Sequence, residues 1–257
     1  MIIREQQNNL VLITQPHHAA ISGIFAGHWK VTTFNGFNRL EEFLFTVHHH
    51  DQCWTEADKV PLLNPDSKRP YSFDDYPEER KIELYRKGID NMENEHPYPA
   101  LLCSRHFASF FAGSETTPGK EFYHSETQRQ QRLTKQMNLN GLESEGADFH
   151  FNLLQFCDNL SLFICLNEEG KNQHPWFKKG FSNSERLGVN KHPLKADWKN
   201  PDTLKIAPFP FDEPFSIQLE YRRIPSLLPD QETLIRYWEN APVQTKTIHF
   251  VEPDAIP

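Results

Sequence analysis

Thirteen histidines are spread unevenly over 257 residues, and their clusters are where this sequence could do chemistry. His17 and His18 form one pair, and His48-His49-His50-Asp51 form a second group. An imidazole beside a carboxylate offers a neutral nitrogen and a hard oxygen together. Such mixed sets suit Zn, Fe, Mn or Ni better than Ca. Three successive histidines cannot all face one way on a helix, so at least one of them is expected at the surface. The run could equally be a solvated helix end. Asp158 is the most informative position, because it sits inside the strongly apolar stretch FNLLQFCDNLSLFICL. A carboxylate there is costly to bury unless it is paired or bound to a cation. A buried salt bridge and a metal ion both meet that demand. His106, in ALLCSRHFASFF, is again polar within an apolar helix. It reads as a satisfied core histidine, a proton donor, or a ligand for a second ion.

These residues need elements to bring them together. Residues 1–14 read as one strand or two short ones, split by the turn-prone QQNN. Pro16 suits a first helical turn, with Thr14 or Gln15 as its cap, so a helix is expected over about 16–30. A second helix is expected from about Arg39 to His50, with Leu40, Phe43, Leu44 and Val47 on its buried stripe. Residues 55–77 read as a surface loop. Further helices are expected over about 78–93, from Pro97, over about 120–140 and over about 147–166. Beyond residue 167 the periodicity fades, and Leu204–Ala207, Ser216–Arg222 and Thr245–Val251 read as strands, with a short helix near 230–239. The expected fold is mainly α, an α+β chain in one unit. A helical core over 1–167 would carry a β-rich extension over 168–257, whose strands join the N-terminal strand in one small sheet.

The bulk numbers narrow the function. A net charge of −8 disfavours nucleic acid and anionic membrane surfaces as partners. The four cysteines include no CxxC pair, which fits reduced thiols in a cytoplasmic protein. MIIREQQNNLVLITQ lacks the layout of a signal peptide. The longest apolar run, from Leu153 to Leu166, is interrupted by Asp158, Asn159 and Ser161 and reads as too short and polar for a bilayer span. GxSxG, Walker A and GxGxxG motifs are all missing.

The order His, then His-Asp, then Asp, each on its own predicted helix, resembles the HD-domain superfamily. That resemblance implies a divalent transition metal (Fe, Mn, Zn or Ni, one or two ions) held by His18, His50, Asp51 and Asp158. His17 and His49 are the alternatives one residue away. The blocks LITQPHHAAISG, HHHDQCWTEAD, RPYSF, LLCSRHF and LLQFCDNLSLFICL also resemble the DUF3891 proteins, a bacterial family with no assigned activity. The family block there reads as a Gln-His-Asp-His run; Pro16-His17 stands in its middle here, which leaves His18 as the expected ligand. The HD likeness implies a metal-dependent hydrolase of a small phosphoester or nucleotide. His106 would be its catalytic acid, and Arg69, Arg105 or Lys87 would neutralise the anionic substrate beside a wall formed by Trp54. A di-iron oxygenase with extra ligands from His106, His124 or His150 is a second expectation. A binding protein on a degenerate HD fold is a third.

Overall fold

Thr14 and Pro16 place the first helix where the chain turns from strand to helix. The Thr14 hydroxyl accepts from the His17 N–H, and Pro16 occupies the first turn, where a missing N–H costs nothing. The computed structural model describes residues 1–253. Strands β1 (Ile2–Gln6) and β2 (Asn9–Ile13) form a hairpin that leads into α1 (Gln15–Gly27). Helix α2 (Leu40–His49) follows, then the short α3 (Thr55–Lys59) and a small hairpin of β3 (Leu63–Asn64) and β4 (Arg69–Pro70). Four long helices come next: α4 (Glu78–Glu95), α5 (Pro97–Ser109), α6 (Thr117–Gln136) and α7 (Leu142–Leu166). The C-terminal part holds β5 (Lys195–Asn200), β6 (Thr203–Ala207), β7 (Phe215–Pro225), α8 (Gln231–Asn240) and β8 (Gln244–Val251).

Helix α7 is buried along most of its length and packs against α1, α2 and α5. Its length and composition would also suit a membrane crossing, but most of its apolar window is covered by protein. Helix α1 packs closely on α2, and Gly23 is what permits it. A Cβ at that position would meet the His48 ring at 2.2 Å.

The expected helical core with a small sheet is overturned. The sheet has six strands in the order β1-β2-β7-β8-β6-β5, antiparallel except for β6 beside β8. It engages both ends of the chain and is a principal layer of the fold. Two features hid its size. Strand β5 carries Lys195, Asp197 and Lys199 on its open side, and only Ala196 and Trp198 face inward, so its apolar signal is thin. Strand β7 runs for 11 residues, further at both ends than its apolar pattern suggests. Phe25 of α1 joins sheet and helices, packing its ring 5.0 Å from Phe250 and 6.1 Å from Phe211. Apolar contacts continue from there through Trp29 and Phe156 to α7.

Candidate metal centre

Three helices deliver the site. His18 lies in the first turns of α1, Asp158 lies in the C-terminal half of α7, and His50 with Asp51 directly follow the last residue of α2. All four side chains are buried, and one ligand atom from each lies within 4.8 Å of the others. His18 Nε2 is 2.9 Å from Asp158 Oδ1 and 3.9 Å from Asp51 Oδ2. His50 Nε2 is 3.5 Å from the same Asp158 oxygen and 3.7 Å from Asp51 Oδ2.

The far side of each ring decides what the near side offers. His50 Nδ1 donates to the Val47 carbonyl at 2.8 Å. In the neutral ring this leaves Nε2 as a bare lone pair, and that atom is buried with no hydrogen-bond partner. His18 Nδ1 lies 2.7 Å from Ser161 Oγ, whose own hydrogen points to the His18 carbonyl at 3.1 Å. The hydroxyl therefore accepts from Nδ1–H, and His18 Nε2 is also a lone pair in the neutral ring. With both rings neutral, two imidazole lone pairs thus face two buried carboxylates. Acceptors face each other stably only when a proton or a metal ion lies between them. No Arg or Lys ion pair reaches Asp51 or Asp158 among the described residues.

Electrostatics shows the same demand for positive charge. Burial works to lower the His50 pKa, yet Asp51 and Asp158 raise it to about 9. Burial works to raise the Asp158 pKa, but His18 and His50, which donate to it through Nε2 when protonated, hold it well below the usual carboxylate range. Asp51 moves up, because burial outweighs the attraction of His50 and His18. The donor set of two imidazoles and two carboxylates fits a divalent transition metal, and the orphaned His50 Nε2 is where such an ion would be ligated.

The neighbouring histidines fall elsewhere. His17 Nε2 accepts from the Glu220 N–H at 2.8 Å, just past the end of the β2–β7 pairing, so it ties α1 to the sheet. His48 packs over Gly23, and His49 donates to the Phe45 carbonyl while stacking on the Phe45 ring. His106 does reach the site. Its ring centroid is 5.2 Å from that of His50, its Nδ1 has no partner, and burial lowers its pKa to about 4.

A cavity of about 680 Å³ opens from this cluster, with His18, Asp51, His106 and Asp158 at its floor. The expected substrate residues do not line it. Arg69 is an exposed partner of Glu5, and Arg105 pairs with Asp148 while lying over Phe151. Lys87 is exposed on α4. Trp54 is buried behind Tyr76 and Tyr85, which do line the cavity. His124 is exposed beside Gln128, and His150 is held by the Tyr98 hydroxyl. Ser161 was not singled out from the sequence. Its spacing of three from Asp158 on a helix, which puts both on one face, was the available signal.

The family model described as "Protein of unknown function (DUF3891)" matches residues 1–226. The chain belongs to this family. All four clustered residues and His106 lie within the DUF3891 match. No curated protein and no solved structure matches the chain.

Proposed function

We propose that this DUF3891 protein is a metal-dependent hydrolase with one divalent ion held by His18, His50, Asp51 and Asp158. The observation that carries this reading is that His18 and His50, each held at Nδ1 by Ser161 and the Val47 carbonyl, turn their Nε2 atoms toward two buried carboxylates at the floor of an open cavity. A bound ion there supplies Lewis acidity toward a substrate oxygen and toward water. The protein's own groups do the rest. Val47 and Ser161 fix the ring orientations and tautomers of His50 and His18. His106 is neutral at ordinary pH and presents an unpartnered Nδ1, so it is the group placed to carry a proton during hydrolysis.

The order of the ligands, and their delivery by three helices, supports the HD-type reading. The di-iron alternative has less support. His124 and His150 are engaged elsewhere, and His106 is the one additional histidine at the cavity floor among the described residues.

The test is elemental analysis of untagged protein beside His50→Ala/Asp51→Ala, with ester and amide hydrolysis assayed in parallel. About one equivalent of Fe, Mn, Zn or Ni is expected in the wild type and none in the variant. His106→Ala is expected to keep the metal and lose turnover by about 10²-fold or more. Equal metal content in wild type and double variant would sink the ligand assignment.

A further inference from the structure

The cavity walls speak to what it takes in. Phe73, Tyr76, Phe110 and Trp176 line the approach to the floor. Trp176 and Phe110 are 52% and 53% exposed, although most large rings of this chain are buried. Phe73 and Trp176 meet at 6.1 Å with an interplanar angle of 86°, which forms two walls of an open corner. Exposed rings gathered at a cavity mouth mark a binding surface.

Three carboxylates stand among these rings, on Asp74, Asp75 and Glu78. The hydrogen-bond partners of Asp75 and Glu78 are neutral. Asp75 accepts from the Ser72 N–H and the Asn64 amide, and Glu78 accepts from the Thr116 hydroxyl. Lys81 is the one lysine or arginine of the lining, and its ammonium donates to the Phe73 and Asp74 carbonyls. A divalent ion would balance Asp51 and Asp158 at the floor. The mouth then carries three negative charges against one positive, a net of −2. An anion entering here meets repulsion and finds no guanidinium in the lining: Arg69 and Arg105 are paired elsewhere, and Arg80, whose charge reaches Tyr76, is exposed outside the lining. An alkylated ammonium suits both features, since aromatic faces and carboxylates each attract it.

We infer that the cavity binds an organic cation, with its alkylammonium head at the mouth between Phe73, Trp176 and the carboxylates of Asp74 and Asp75. This rests on reading the cavity as the substrate site, and it replaces the phosphoester with a cationic substrate. The rest of the ligand extends toward the His-Asp floor, and the cavity volume leaves room for it.

Ligand-observed NMR titration tests this on full-length protein, both metal-loaded and stripped with chelator. The probes are choline, its uncharged isostere 3,3-dimethylbutan-1-ol, and inorganic phosphate. Choline is expected to saturate in both forms and to bind about tenfold more tightly than the isostere. Trp176→Ala and Asp74→Asn/Asp75→Asn are each expected to weaken choline about tenfold. Equal binding of choline and isostere, tighter binding of phosphate to the stripped protein, or unchanged choline binding in both variants would overturn the inference. Failure of the hydrolase reading looks different: metal and turnover would be missing while choline still bound at the mouth.

Discussion

Two buried imidazoles in this molecule face opposite surroundings. His50 and His150 are both almost wholly removed from solvent. His50 faces two carboxylates, and its pKa rises to about 9. His150 stacks on Phe43 at 4.5 Å and meets the Tyr98 hydroxyl at 2.6 Å. There burial prevails, and its pKa falls to about 4. Burial therefore does not distinguish a structural histidine from a reactive one. What faces the ring does: each of these imidazoles has a buried Nε2 without a hydrogen-bond partner, but carboxylates face that of His50 and leave it in want of a cation, whereas His150 meets the Tyr98 hydroxyl and no carboxylate drives its shift.

The largest effect is expected from removing a carboxylate that creates that want. Asp158→Ala should abolish bound metal. It should also cost about 3–5 kcal/mol in urea unfolding of chelator-treated protein, because it leaves the imidazoles uncompensated. Asp158→Asn should lose the metal as well, with a smaller stability loss. A variant that retained full metal would erase the distinction between the two histidines.

His150→Phe tests the other side of the comparison. A buried neutral histidine lends stability that is complete above its unfolded pKa of 6.5. As pH falls from there toward the folded value of about 4, the unfolded chain takes up the proton first and stability declines. Equilibrium unfolding across that window should show a wild-type loss, relative to the variant, of up to about 3 kcal/mol. Metal content should be the same in both. Parallel pH curves for the two proteins would count against a neutral His150.

The smallest effect is expected at Ser161→Ala, which frees His18 Nδ1 while leaving every ligand in place. Metal affinity measured by chelator competition should fall about 10–100-fold. No change would mean that the tautomer of His18 is set by something other than this hydroxyl.

These residues also show what could be read in advance. The helices bearing the ligands were legible because Ile21, Phe25, Phe43 and Val47 repeat at helical spacing, and because Asp158 is conspicuous among apolar neighbours. The sequence-only choice of His18 over His17 and of His50 over His49 depended on a family likeness. In the structure that choice turns on where β7 and Phe45 take up the spare imidazoles. The sheet was under-read because the charged residues of β5 obscure its alternation and because β7 outruns its apolar pattern. The cavity was out of reach. Its mouth joins residues near 75, 110 and 176, from loops and helix ends with no shared periodicity. For the same reason Arg69 and Arg105 attracted attention that their ion pairs do not support.

Gly23 has a mechanical consequence. The His48 ring occupies the space that a Cβ at residue 23 would fill, so one hydrogen atom sets how near α1 and α2 can lie. His18 is five residues from that contact on one helix, and His50 is two residues from it on the other. The two helices act like the arms of a caliper. A single methyl group at their pivot would widen the jaws in which the ion is to be gripped.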